Sequence, residues 1–254
     1  MNMPHSLELP TDWYVRHFEV TDSTMLRLRD SELSERPEAF VLVTADYQTA
    51  GRGQKGTSWE ADPKSNLLFG FLFHPEKIPA TQQFSLSEAL ALAVADSLSA
   101  YTDGISIKWP NDIYWQDRKI CGMLLEHDLC GSHIATTLTG VGLNINQKTF
   151  RSNAPNPVSL LQITNKETDR SQILQQILSR FVTHYLNLQN GHYEELHRQY
   201  MQKLYRRNGW YTYRDPSGVF RAEIVEISPL GVLTLRKEDG TLQPYAFKEI
   251  SYII

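Results

Sequence analysis

The chain has 254 residues, 41% hydrophobic and 21% charged, enough for a sizeable core in one large domain, alone or with a small appendix. A formal net charge of -4, from 25 Lys+Arg against 29 Asp+Glu, argues against nucleic acid as the principal partner. Two cysteines without framework spacing, no signal-peptide pattern in MNMPHSLELPTDW and no apolar run near the roughly 20 residues of a membrane span together predict a soluble cytoplasmic protein.

In chain order, Val15 to Val20 reads as an opening strand closed by Thr21-Asp22-Ser23, after which helical-period residues begin at Met25. Phe40 to Ala45 and Leu67 to Phe73 are apolar runs that suit buried strands. Ser85 and Glu88 have the spacing of a capping box, which predicts a helix whose apolar face is carried by Ala89 to Leu98. Ile105 to Ile107 and Ile113 to Trp115 read as strands on either side of Trp109-Pro110-Asn111-Asp112. Lys119 to Glu126 and Ile134 to Ile145 read as two more. Leu160, Leu161 and Ile163 suggest a short packed turn. A long amphipathic helix follows from Ile173 to Leu186, stopped at Asn190-Gly191, and a second helix runs from Tyr193 to Tyr205. After Asn208-Gly209 come short strands at Val219 to Ile227, Val232 to Arg236, Leu242 to Phe247 and Ile250 to Ile254, an all-β appendix of about 45 residues. The expected architecture is α+β, with a main domain over residues 1–207 and a small β-barrel-like domain over 208–254.

Between the first two buried strands lies YQTAGRGQKGTSW, in which Gly51, Gly53 and Gly56 spell G-x-G-x-x-G. A dinucleotide turn needs a helix to begin at the third glycine, so that pyrophosphate meets its positive end. Here TSWEADPKSN follows, with no helical period, and Ser58 stands where a kinase-type loop carries an apolar residue. What remains is a donor-rich loop in which glycines permit close backbone approach and Arg52 and Lys55 offer charge to phosphate or carboxylate.

Four further segments stand in order with that loop: Asp22-Ser23-Thr24, Lys108-Trp109-Pro110-Asn111-Asp112, Arg118-Lys119-Ile120-Cys121-Gly122, and Gly140-Val141-Gly142-Leu143-Asn144. In this order and spacing the chain closely resembles the biotin protein ligases, from about Thr21 to the C-terminus. The resemblance implies a class-II-synthetase-like mixed sheet flanked by helices and a small C-terminal SH3-like β-barrel. It also implies an enzyme that joins biotin to ATP as biotinyl-5′-AMP and passes the biotinyl group to one lysine of a biotin carboxyl carrier domain. Bringing a carboxylate and a triphosphate together calls for cations and Mg²⁺, and the labile anhydride calls for a loop that covers it.

Carried over residue by residue, the resemblance makes Ser23, Thr24 and Gln48 the polar groups that address biotin. Arg52, Gly53 and Gln54 become the loop over biotin and phosphates. Lys119 becomes the catalytic lysine, reaching the biotin carboxylate and the α-phosphate, with Arg52 beside it in catalysis. Gly122 lies where backbone passes close to the ligand. Arg52, Lys55, Trp59, Asp112 and Asn144 are the ATP-binding candidates, with Trp59 stacking near adenine and Asn144 reading it. Asp112 is the candidate for Mg²⁺ or for ordering the nucleotide site, and a turn-capping aspartate remains the alternative. Met25 stands where the family usually has asparagine, and Gln54 where its loop usually has a second arginine. The latter predicts weaker retention of the adenylate.

Only about 20 residues precede Asp22-Ser23-Thr24, too few for the helix-turn-helix domain that some members carry, so no DNA partner and no membrane are expected; a homodimer is compatible with the resemblance. Lipoate or octanoate attachment on the same fold, and a non-catalytic biotin or nucleotide sensor, are the rival readings. His192 and His197, five apart, do not share a helical face for a metal. Cys121 reads as a small strand residue. The cations and aromatics from Arg198 to Tyr211 read as a helix end rather than a nucleic-acid patch.

Overall fold

Alternate residues of Phe40–Gln48 (β2) are sorted to opposite faces of a sheet. Phe40 and Leu42 enter the main core, while Val41 and Val43 enter a second, smaller one, as the two-residue period of a strand demands. Leu67–Phe73 (β3) is buried along its whole length for the same reason, with Phe69, Phe71 and Phe73 facing one core and Leu72 the other. The computed structural model describes residues 12–36, 38–53, 58–75, 77–152 and 155–254.

Among the described residues twelve strands form two sheets. The larger has the order β1-β2-β3-β7-β6-β5-β4, where β1 is Trp13–Thr21, β4 Ile105–Lys108, β5 Asp112–Trp115, β6 Arg118–Cys130 and β7 His133–Leu143. β1 runs parallel to β2 and the other neighbours are antiparallel. A parallel pair needs a crossover, supplied here by the short helices Thr24–Arg27 (α1) and Ser31–Ser34 (α2). Their residues Met25, Leu28 and Leu33 close the smaller core over Val41, Val43, Leu72 and Leu138. The opposite face carries Phe84–Leu98 (α3), Arg170–Gln189 (α5) and Tyr193–Gln202 (α6), whose apolar residues fill the main core. The short helix Leu160–Thr164 (α4) starts with a capping box: Ser159 Oγ accepts from Gln162 N at 3.2 Å and Gln162 Oε1 accepts from Ser159 N at 3.1 Å.

The capping box expected at Ser85 and Glu88 does not form. The helix begins at Phe84, directly after a 3-10 turn at Ala80–Gln82, so Ser85 is already inside it and donates to Gln82 O at 2.7 Å. Glu88 is buried and accepts instead from His197 of α6 at 2.7 Å. Helix-forming sequence ahead of Ser85 shifted the start by two residues, and tertiary pairing claimed the glutamate.

The second sheet, of order β11-β10-β9-β8-β12, comprises Tyr211–Asp215 (β8), Gly218–Ile227 (β9), Leu233–Lys237 (β10), Leu242–Tyr245 (β11) and Ser251–Tyr252 (β12). The sequence reading missed β8 and overextended β11 and β12. All pairings are antiparallel, and no ladder among the described residues joins β11 to β12, so the sheet is open rather than a closed barrel. Tyr213, Ile224 and Leu233 belong to the main core. Trp109 Nε1 donates to Gly231 O at 3.0 Å across the junction. Among the described residues no helix is long and apolar enough to cross a membrane.

Candidate active site

On the face opposite the three long helices, α1 and α2 cover β2, β3 and the part of β7 around Leu138 and Gly140. Over β7 and β6 that face is built from Gly140, Gly142 and Gly122, with Gly122 directly opposite Gly142 in the ladder. With no side chains rising from these positions, a cavity of about 580 Å³ opens above the strands, a ligand-sized volume. It is lined by Ser23, Thr24, Gln48, Arg52, Gly53, Trp59, Asp112, Lys119, Gly122 and Asn144. Ten of the twelve residues singled out from the sequence thus meet in one place. The other two, Gln54 and Lys55, lie outside the described residues.

Lys119 and Gly122 are three apart and should face opposite sides of a regular strand. They share the cavity because β6 is bulged: Ile113 pairs with Cys121 but Tyr114 pairs with Lys119, leaving Ile120 as the extra residue. A bulge of this kind re-aims the side chains beyond it. Ile120 and Cys121 are both fully buried in the main core, while Lys119 crosses to the glycine side. There its Nζ lies 2.6 Å from Asp112 Oδ1. The turn before Asp112 contains a cis Trp109–Pro110 bond, and Asn111 Nδ2 donates to Met123 O.

On the α1 side, Gln48 Oε1 accepts from Thr24 N at 2.7 Å, which fixes the amide. Asp22 ties the preceding turn, accepting from Ser23 N at 2.7 Å and pairing with Arg27 at 2.9 Å. Ser23 and Thr24 are buried at 2% and 3% exposure yet line the cavity. Met25 lies over Gly140 in the smaller core and on the cavity wall.

The glycine loop leaves β2 and returns to the sheet within a few residues. Arg52 and Ser58 form an antiparallel bridge, and Trp59 N donates to Gly51 O at 3.0 Å. The returning chain lays the Trp59 indole on the paired glycines. A Cβ at Gly142 would fall 2.3 Å from Trp59 Cε2, and one at Gly122 would fall 2.9 Å from Cζ3. Only glycine permits that approach. Lys119 Nζ is 5.7 Å from the same indole, and Trp59 Nε1 is buried with no hydrogen-bond partner among the described residues. Asn144 closes the end of β7. Its Nδ2 donates to Val158 O at 3.1 Å, and its Oδ1 is 3.4 Å from Asn66 Nδ2. The amide is therefore engaged in a buried network that continues through Gln147, 2.5 Å from Asn66.

The sequence reading gave no role to Lys108, which also lines the cavity. The available signal was pairing: Lys108 opposes Asp112 across the Trp109–Asn111 turn, so both side chains leave the sheet on one face. Burial pushes the Lys108 ammonium below its ordinary range, opposed by the Asp112 carboxylate. Burial likewise pushes the Cys121 thiol up, and Cys121 faces the core. His197 is committed to Glu88, while Arg198 pairs with Glu195 and Lys203 with Asp96. No group of three or more His, Cys, Asp or Glu among the described residues could hold a metal.

Comparison with known proteins places this geometry. Residues 17–144 match the model of the "Biotin/lipoate A/B protein ligase family". A "Bifunctional ligase/repressor BirA" of Bacillus spizizenii is 28% identical over 247 residues, covering 90% of this chain and 71% of that protein. A "Biotin--[acetyl-CoA-carboxylase] ligase" of Mycobacterium tuberculosis is 29% identical over 157 residues, 59% of this chain and 56% of its own. Among solved structures, the biotin protein ligase from Aquifex aeolicus in complex with biotin and ATP superposes with a TM-score of 0.77 at 26% identity, covering 94% of this chain and 97% of that one. The matched segment spans the cavity from β1 to Asn144, and with it the chain belongs to the biotin/lipoate A/B protein ligase family.

Proposed function

We propose that the protein is a biotin protein ligase that activates biotin with ATP as biotinyl-5′-AMP and transfers the biotinyl group to a lysine of a biotin carboxyl carrier domain, in the cytoplasm. The observation that carries this reading is the meeting, in one cavity, of the Ser23–Thr24–Gln48 group with the Lys119–Asp112 pair. Ser23, Thr24 and Gln48 offer fixed donors and acceptors to a cyclic urea, while Lys119, on β6, stands three strands nearer the β4 edge than Gln48 on β2.

In the first step a biotin carboxylate oxygen attacks the α-phosphorus of ATP. The bond to the bridging oxygen breaks and pyrophosphate leaves. Lys119 exchanges Asp112 for the incoming oxygens and stabilises the charge that gathers there. Arg52, Gly53, Gln54 and Lys55 cover the anhydride and exclude water; Trp59 stacks against the adenine, with Asn144 at the same wall. In the second step the neutral amine of the acceptor lysine attacks the acyl carbon, AMP leaves, and the amine loses a proton.

Magnesium takes one or two carboxylates together with substrate phosphates rather than a protein cage, and the donor set here fits that habit. Asp112 would hold it, whereas Glu60, also on the cavity wall, accepts from Arg151 N and Ser152 N. When bound, the ion neutralises phosphate charge. Residues 208–254 form the smaller domain in this reading.

The test is pyrophosphate release from Mg-ATP with biotin, lipoate or octanoate supplied in turn, alongside Lys119→Ala. Release with biotin alone, lost in the variant, is expected. Release with lipoate or octanoate instead moves the protein to the sister activity, and none with any acid supports a sensor.

A further inference from the structure

The end of the cavity beneath α1 has two chemically different walls. One carries Ser23, Thr24 and the amide of Gln48; the other is Met25, Leu124 and Gly140. Thr24 and Met25 are consecutive at the start of α1, so one turn of helix supplies both a hydrogen-bonding wall and an apolar one. The Met25 side chain lies directly over Gly140: a Cβ there would fall 2.7 Å from its Cγ and 3.0 Å from its Sδ. Leu124 stands opposite Gly140 in the β6–β7 ladder. Behind Met25 lies the smaller apolar core, with Leu28, Val43 and Leu138 in it. A thioether donates no hydrogen bond and packs by dispersion, so this side chain has nothing to give a polar substituent.

Distance along the floor says which part of a ligand meets Met25. Lys119 stands at the Gly122–Gly142 pair, its Nζ 3.3 Å from where a Cβ on Gly122 would be. Gly140 is one two-residue repeat away along β7, roughly 7 Å. A carboxylate held at Lys119 therefore puts the far end of an arm the length of biotin's pentanoyl chain beneath Met25, beside Ser23, Thr24 and Gln48. In biotin that far end is a bicycle with a polar side, the urea, and an apolar side, the sulfur-bearing ring. With the urea on the three polar residues, the sulfide ring is left to Met25 and Leu124.

The geometry points to Met25 as the residue that selects the oxidation state of that ring: its thioether packs on the sulfide sulfur of biotin and rejects the ring S-oxide. The S-oxide oxygen would be buried without a donor, because Ser23, Thr24 and Gln48 are engaged by the urea. Asparagine, usual at this position in the family, carries an amide N–H that would serve such an oxygen, so the selectivity belongs to this chain's own residue. This deepens the ligase reading and rests on it for the identity of the acid.

The experiment uses the full chain with Met25→Leu, Met25→Asn and Met25→Ala. It measures kcat/KM for biotin, biotin S-oxide and desthiobiotin (which keeps the urea and lacks the sulfur) in pyrophosphate release, KM for ATP, and binding of the same acids by calorimetry. Wild type should prefer biotin to its S-oxide by ~10- to 100-fold, the scale of one buried oxygen left without a partner. Met25→Leu should keep that preference, and Met25→Asn should shrink it by ~10-fold. Met25→Ala should cost biotin ~10-fold and desthiobiotin no more than about twofold, because only biotin loses packing on its sulfur. KM for ATP should stay within about twofold in every variant. Equal use of biotin and its S-oxide by wild type, an unchanged ratio in Met25→Asn, or equal losses for biotin and desthiobiotin in Met25→Ala would each overturn the proposal. So would a KM for ATP that rises in step with the loss on biotin, which a merely structural methionine predicts. Should Met25→Asn not fold, wild type and Met25→Ala decide. If wild type turns over no acid yet binds biotin more tightly than the S-oxide, with Met25→Asn narrowing the gap, the ring site stands and the ligase reading falls. Turnover of biotin with no preference over the S-oxide overturns the assignment and leaves the ligase.

Discussion

Gly142→Ala isolates what the paired glycines do. The new methyl carbon would lie 2.3 Å from Trp59 Cε2 and 2.6 Å from Nε1. Carbon contacts settle near 3.5–4.0 Å, so the indole must retreat by about 1.2 Å or more. The ring can retreat, because one side faces the cavity and Nε1 has no hydrogen bond to lose among the described residues. The stability cost should sit near the low end for overpacking, about 1 kcal/mol, or roughly 2–4 °C in Tm for a chain of this size. Catalysis should suffer more, since misplacing a site group by about 1 Å can cost on the order of 100-fold. The assays are thermal unfolding by circular dichroism and kcat/KM for ATP in biotin-dependent pyrophosphate release. In a Trp59→Ala background the clash has no partner, and Gly142→Ala should then change neither quantity. Wild-type kcat/KM in the single variant, or an undiminished penalty in the Trp59→Ala background, would refute this account.

Stability should fall as pH rises through neutrality. The Glu88 hydrogen bond holds His197 above its ordinary range, and burial holds Glu88 above its own. A group raised in the folded state stabilises below its unfolded pKa and loses that contribution as pH climbs through the folded value. Because the His197 side chain is 37% exposed, its share is about 1 kcal/mol after screening. His197→Ala should flatten the decline in Tm above about pH 6.5, and a decline of unchanged slope would count against the pair. Iodoacetamide should modify Cys130 and spare Cys121 in the native protein, as intact-mass measurement would register; Cys121 is buried with its thiol pKa pushed up, whereas Cys130 is exposed. Gln54→Arg should slow adenylate dissociation, and an unchanged rate in a chase experiment would dismiss the missing charge as the cause of weak retention.

Most of the strands and the long helix were legible because their apolar residues follow a period set by what they bury. Leu67–Phe73 was bounded correctly, since seven apolar residues between turns leave few alternatives. β8 was missed because Tyr211 to Asp215 mixes aromatic and charged residues, and only Tyr213 is fully committed to the core. The Ser85–Glu88 spacing was a local signal overruled by His197, which lies 109 residues from Glu88 in sequence. Within the site, ordered motifs carried nearly all the information. Lys108 was quoted and passed over because its surroundings include Tyr252, 144 positions later in the sequence. No spacing rule connects the two.

The extra residue in β6 sets a limit on how this chain can change. Substitutions around Lys119 alter one side chain at a time, but a slip that set Ile120 opposite Tyr114 would restore an unbroken ladder and exchange the fates of everything before it. Lys119 would turn toward the packed helices and Arg118 would take its place over the glycines. Such an enzyme would still display a basic residue at the cavity, on a sheet more regular than the natural one, while driving a lysine into oil. In register, if not in composition, this short segment is the least negotiable part of the site.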